Sequence, residues 1–309
     1  MFKVILQNKM QKYFVIYAAC LAMVACSQER MDTVINDETE ETVMVPVKVH
    51  VDGFSVSMED FDAQAPRRAA EKVEGYSGVN AVTLAFYQQD DNTMVYKVTQ
   101  SKAEKTAFGD FSLALPMGKY TMVVLAYYTS EGNPMVLTSP TEAAFTGAHS
   151  FETFATTKAV SITNNTPVDI SAQLERIATQ LQVKSVDGKT ENVKNVRMTF
   201  SAGSKSFNPT TGLALSDTGY ENTIGNSTTV GGLSTSRGYL FLTSDEQTMD
   251  VTIETLDVDG QVLFSKQVKN VPFKRNRTTV LTGYLYSNPS ISGTFKVNAD
   301  WLEEYEMEL

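Results

Sequence analysis

The sequence predicts an all-β protein of two consecutive β-sandwiches, carried behind an export segment. Three observations predict it. Apolar residues alternate with polar ones in short runs along most of the chain, turn residues punctuate those runs, and a basic then apolar leader ends in small residues before a cysteine. Alternation puts every second side chain on one face, as a strand buried on one side requires.

The leader carries Lys3, Lys9 and Lys12, an apolar run over 13–25, and Cys26 behind Val24 and Ala25. A spanning helix needs about 20 apolar residues, so this run reads as a removable signal peptide, 1–25. Residues 21–26, Leu-Ala-Met-Val-Ala-Cys, resemble a bacterial lipoprotein lipobox with Met23 in place of the usual leucine, and Cys26 is the expected lipidation site. Cys20 is set aside because the apolar run continues past it. With Cys20 removed and Cys26 lipidated, no disulfide framework and no thiolate metal cluster can form, so stability must come from apolar cores. The three acyl chains expected on such a cysteine would anchor the chain stably to an outer membrane, where one alone would bind marginally. Residues 26–42 are polar and end in Asp37-Glu38-Thr39-Glu40-Glu41, a solvated tether. A net charge of −10 argues against binding nucleic acid or an anionic bilayer by charge.

The pattern changes at residue 43. Val43, Val45, Val47, Val49 and Val51 alternate with Met44, Pro46, Lys48 and His50, which predicts a strand. Pro46 lacks an amide donor, so the strand is expected at a sheet edge or paired on one side only there. Past Gly53 the apolar set shifts to Phe54, Val56 and Met58, and a bulge at Gly53 would produce that shift. Further strands follow at Val82/Leu84/Phe86, Met94/Tyr96/Val98, Phe111/Leu113/Leu115 and 122–128, with Pro116-Met117-Gly118-Lys119 as a turn. Asn164-Asn165-Thr166-Pro167 separates the halves, giving an N-terminal domain 43–167 and a C-terminal domain 168–309.

Residues 168–183 fit two periods. Ile170, Leu174, Ile177 and Leu181 have helical spacing, while Val168, Ile170, Ala172 and Leu174, then after a slip at Glu175-Arg176 also Ile177, Thr179, Leu181 and Val183, alternate. The β-rich surroundings favour one long bulged strand. Val196/Met198/Phe200, Met249/Val251/Ile253 and Val262/Phe264 continue the strand period, and Asp187-Gly188 and Asp259-Gly260 are read as type I′ hairpin turns.

Chemistry-bearing clusters are scarce. Two histidines, His50 and His149, leave few ligands for a metal, and no nucleophile elbow or phosphate loop is present, so neither a cofactor nor catalysis is expected. Asp257-Val258-Asp259-Gly260 opens like a calcium loop but lacks the remaining ligands and reads as a turn. Asp90-Asp91 and Glu303-Glu304 read as solvated carboxylates. Gly231-Gly232 reads as a flexible loop.

Three stretches resemble the Fim/Mfa-type fimbrillins, subunits and anchors of type V pili. They are residues 111–126 (Phe-Ser-Leu-Ala-Leu-Pro-Met-Gly-Lys-Tyr-Thr-Met-Val-Val-Leu-Ala), residues 168–183 around Leu174-Glu175-Arg176-Ile177-Ala178, and residues 271–286 followed by Phe295, Val297, Asp300 and Trp301. The resemblance implies two tandem transthyretin-like β-sandwich domains, export as a surface lipoprotein, other fimbrial subunits as partners, and assembly by donor-strand exchange. In that exchange one subunit's strand completes another's sheet. Shaft subunits of that family lose an N-terminal strand to an arginine-specific protease and anchors keep it. Arg67-Arg68 is the candidate cleavage site here. Phe295, Val297 and Trp301 lie on the apolar face of an alternating C-terminal segment that could be a donor strand or the last strand of the second sandwich. The competing expectation is a lipid-anchored glycan-binding protein. It would need exposed aromatics, whereas Tyr87, Tyr96, Tyr127, Tyr128 and Tyr239 fall mainly in predicted strands.

Overall fold

The computed structural model describes residues 42–54, 73–287 and 296–298. Cys26, Arg67, Arg68, Phe295 and Trp301 lie outside them. The described residues contain no helix, and their strands are, in order, β1 (Met44–Phe54), β2 (Ala81–Gln88), β3 (Met94–Ser101), β4 (Asp110–Pro116), β5 (Gly118–Tyr127), β6 (Met135–Ser139), β7 (Glu142–Phe145), β8 (Thr153–Ile162) and β9 (Val168–Arg176). There follow β10 (Thr179–Ser185), β11 (Asn195–Phe200), β12 (Ser206–Phe207), β13 (Tyr220–Gly225), β14 (Thr235–Leu240), β15 (Glu246–Leu256), β16 (Val262–Lys274), β17 (Thr278–Gly283) and β18 (Lys296–Asn298).

The first sheet runs β3-β2-β5-β8-β9-β1-β4. Its two halves face each other over one core, with Val45, Val47, Val49, Phe111 and Ile170 from one half and Leu84, Phe86, Tyr120, Met122 and Val124 from the other. Chain reversal between the halves happens at Pro116-Met117-Gly118, the turn expected from sequence. The fully buried Tyr120 fastens it by donating its hydroxyl to Pro116 O at 2.7 Å. A second core lies between sheets β14-β10-β17-β18 and β13-β11-β15-β16, lined by Leu181, Val183, Leu281, Val196, Met198, Val251 and Ile253. The alternating residues of β10, β11 and β15 are the buried ones.

A third core joins the halves. Phe145 of β7 stacks on Phe241 with ring centres 6.4 Å apart, Phe207 of β12 lies 4.3 Å from Phe241, and β12 pairs with β7 to extend a small sheet with β6. Arg176 reinforces this junction. Its Nε donates to Glu152 Oε1 at 2.7 Å, one terminal nitrogen to Asn276 Oδ1 at 3.0 Å and the other to the Tyr76 hydroxyl at 3.1 Å.

Several expectations are corrected. Residues 168–183 are two strands rather than one. β9 pairs with β1 and β8 in the first sheet, β10 pairs with β14 and β17 in the second set, and the chain changes sheet at Ile177-Ala178, both buried in the third core. The first sheet therefore reaches past Val168. Of the two expectations for Pro46, the sheet edge is corrected and the other holds: β1 is an interior strand, but its pairing with β9 begins only at Val47, so at Pro46 it is paired on one side only, with β4. Asp257–Gly260 does join a hairpin, β15 to β16, yet only Gly260 has a positive φ, 79°. The turn is held by Asp257 Oδ1, which accepts the amides of Asp259 and Gln261 at 2.9 and 2.8 Å, and it is not type I′. Asp187-Gly188 joins no hairpin. Gly188 has no room for a Cβ because Gly231 O would lie 2.6 Å away, so the close approach that Gly231 permits is to its own chain. The bulge at Gly53 is present, with φ 127° and a register shift against β9 between Val51 and Gly53.

Candidate functional site

Two sheet positions stand out. The first is the lane filled by β1. One strand separates β4 from β9, antiparallel to β4 over Met44–His50 and parallel to β9 over Val47–Phe54. Its valines Val45, Val47, Val49 and Val51 are 0–6% exposed. A parallel neighbour cannot arise from a hairpin, so β1 enters this lane as a separate piece of chain. It is joined onward only through residues 55–72. Where β1 ends, Val51 donates its amide to Gly109 O at 3.0 Å. Gly109, at φ 97°, lacks space for a side chain, since a Cβ would meet Val73 Cγ1 at 2.6 Å. Buried Gln100 braces the same point, donating to Asp110 O at 2.7 Å and accepting from the Gly109 amide at 2.8 Å.

The outward face of β1 is electrostatically keyed. His50 Nδ1 is 2.8 Å from Asp110 Oδ1 on β4, and its Nε2 is 3.3 Å from Asp169 Oδ1 on β9. The Asp110 hydrogen bond raises the His50 pKa above the usual imidazole value. The charges of Asp169, Asp110 and Asp52 add to the rise, and slight desolvation opposes it. Ser171 on β9 donates its hydroxyl to Asp52. Sequence reading placed His50 on the solvent face but did not foresee its role, because nothing local says which strands will flank it.

The second position is the free side of β17. β18 pairs there antiparallel, with Val297 opposite Leu281 and Asn298 opposite Val280. Of the expected donor residues, only Val297 is therefore placed. Before β18, residues 285–287 are clasped by Asp187, whose carboxylate accepts the amides of Leu285 and Tyr286 at 2.9 Å each and the Ser287 hydroxyl at 2.8 Å. Tyr286 in turn accepts from Asn226 Nδ2 at 2.7 Å and hydrogen-bonds Ser234. The clasp holds residues 285–287 against the loop that carries Asp187.

Among the described residues, no group of three His, Cys, Asp or Glu side chains could hold a metal ion. His149 sits 2.5 Å from Asn222 Oδ1 and serves the packing between the halves. Tyr87 and Tyr127 are buried, Tyr96 and Tyr239 half-buried, and Tyr128, 40% exposed, packs its ring edge-on against Phe151, so these tyrosines form no open aromatic platform.

A family profile described as "Family of unknown function (DUF6562)" matches residues 45–308. The chain belongs to this family. No curated protein is significantly similar to the DUF6562 chain. Among solved structures, a protein named a "putative adhesin" from Bacteroides ovatus shares the fold, with TM-score 0.50 and 10% identity over 86% of this chain and 95% of that one. The fimbrial anchor protein Mfa2 from Porphyromonas gingivalis aligns with TM-score 0.47 and 11% identity over 85% of this chain and 100% of that one. The likeness to the Bacteroides ovatus protein is one of fold, and it agrees with the all-β resemblance read in the sequence.

Proposed function

We propose that this DUF6562 protein is a non-catalytic component of cell-surface fimbriae, an anchor or minor subunit, held to the outer membrane by a lipid on Cys26 and assembling with other fimbrial subunits by strand exchange. The observation that carries the reading is β1. A single strand, with four valines buried in the first core, fills a lane between two strands that do not pair with each other. Removing it would expose an apolar groove and two unpaired strand edges, a template that another chain's alternating strand can complete. Cleavage at Arg67-Arg68 would sever β1 and the lipidated tether from the rest of the chain, leaving them held by non-covalent contacts alone. An uncut chain is then an anchor and a cut chain is a subunit ready for exchange. The sequence resemblance to Fim/Mfa-type fimbrillins supports the same reading.

Locking β1 in place tests it. Pro46 and Ala114 are cross-strand partners with exposed side chains. A chain carrying Pro46→Cys and Ala114→Cys, oxidised, should fold and be lipidated yet accept no donor strand after cleavage. Reduction should restore assembly into detergent-resistant ladders. Equal assembly of the oxidised and reduced forms would overturn the strand-exchange reading.

A further inference from the structure

β1 ends at Phe54, whose side chain is buried against two other rings. Its ring centre is 4.0 Å from that of Phe154 on β8 and 5.0 Å from that of Tyr76, and Tyr76 meets Phe154 edge-on at 5.6 Å. These two rings also support the polar knot at the boundary between the halves. The Arg176 guanidinium stands 4.8 Å from the Phe154 ring centre, the Tyr76 hydroxyl donates to Glu152 Oε1 at 2.6 Å, and Arg176 reaches Asn276 Oδ1 between β16 and β17 at 3.0 Å. We infer that Phe54 couples the lane of β1 to the joint between the two halves, so that the joint is stiff only while an aromatic side chain fills the last place of that lane. This coupling belongs to the uncut chain and does not require that β1 be exchanged.

Strand register lines these groups up. Phe54 is the partner of Leu174 on β9, and Arg176 follows two places later on the same face of that strand, opposite Phe154 of β8. The Glu152 and Arg176 side chains are each 13% exposed, so their attraction is little screened by water and weakens when their cover is lost. Phe54 is part of that cover. Without its ring, Phe154 loses a packed neighbour and Tyr76 an edge contact, and both gain room to move. Arg176 then loses the fixed aromatic face beside it, and water reaches the Glu152 carboxylate. Its hold on Asn276 slackens as a result.

The other members of the knot are firmly seated, which leaves Phe54 as the part that comes and goes with β1. Lys102 Nζ donates to Tyr76 O at 2.9 Å. Gly78 presses so closely on the Glu152 carboxylate and the Tyr76 ring that a Cβ there would collide with both. On the far side of the joint the Asn276 amide donates to Ala178 O at 3.2 Å and the Gln180 amide to Arg277 O at 2.9 Å. Asn276 is thus stapled to the point where the chain crosses from the first sheet into the second set, and those two amides report whether the joint is closed. Val49 provides the contrast. It is buried in the same strand but five places earlier, roughly 16 Å from Phe54 along the lane.

Native-state amide hydrogen exchange of the full chain tests the coupling. Phe54→Ala should speed exchange of the Asn276 and Gln180 amides about tenfold, the scale of one lost aromatic contact, while the amides of β11 and β15 keep the parent rate. Val49→Ala should leave the two joint amides at the parent rate. Should Phe54→Ala not fold, Phe54→Leu, which keeps most of the volume and loses the ring, should raise the same two amides by a smaller factor. Asn276→Gly supplies the second arm of a double-mutant cycle, since glycine accepts the φ of 61° at that place and removes the group that Arg176 holds. On that background Phe54→Ala should add no further rise at the Gln180 amide. Parent rates at the joint in both Phe54 variants, an equal rise in Val49→Ala, or a full additional rise on the Asn276→Gly background would each overturn the inference.

Discussion

Shortening Val49 to alanine measures how firmly β1 is built into the first core. Val49 is fully buried, and its cross-strand partners on the apolar face are Phe111 on β4 and Ile170 on β9, themselves 4% and 5% exposed. Both partners are held by their own strands, so the space left by two missing carbons closes only in part. At about 0.8 kcal/mol for each buried carbon, with a cavity penalty added, Val49→Ala should cost about 2–3 kcal/mol. Over a folded region of this size that corresponds to a drop in Tm of roughly 5–10 °C. The matched control is Lys48→Ala, one residue along on the solvent face, which should change stability by no more than about 0.5 kcal/mol. Urea unfolding followed by circular dichroism gives both values, and the m-values should match the parent if the compactness of the end states is unchanged. A cost below about 0.5 kcal/mol for Val49→Ala, or an equal cost for Lys48→Ala, would refute the placement of β1 in the lane.

Three other outcomes are expected. His50 has a raised pKa in the folded chain, so its contribution is fully present below the unfolded value near 6.5 and is lost as pH rises through the folded value. The cut chain should therefore release β1 faster at pH 8 than at pH 5.5, and His50→Gln should flatten that difference in a stopped-flow release assay. Arg176→Ala strands the Glu152 carboxylate, 13% exposed, beside Tyr76, whose hydroxyl pKa burial already pushes up. The loss should be about 3 kcal/mol, and protease sensitivity should rise between the two halves. If Cys26 carries the lipid as proposed, Cys26→Ala should abolish incorporation of labelled fatty acid and release the chain from membranes. Undiminished labelling would refute the site.

The sequence by itself determined which side chains are buried along each strand, because a period of two fixes the face whatever the neighbours are. The valines of β1, the alternation of β10, β11 and β15, the Gly53 bulge and the Pro116-Met117-Gly118 corner were all legible for this local reason. What the period cannot supply is the partner. That β1 runs parallel to β9 and antiparallel to β4, that His50 therefore meets Asp110 and Asp169, and that Asp187 clasps residues 285–287 are facts of residues some 60 to 120 positions apart along the chain. Residues 168–183 show the limit. Their alternation continues on both sides of Ile177-Ala178, so the sequence reads one strand, and only the packing of that pair into the core between the halves turns it into two strands in different sheets. The Asp-Gly pairs show it again at smaller scale. Asp257 can satisfy its turn's amides with its own carboxylate while Asp187 spends the same group on a distant segment, and that choice is made by which backbone tertiary packing brings within reach.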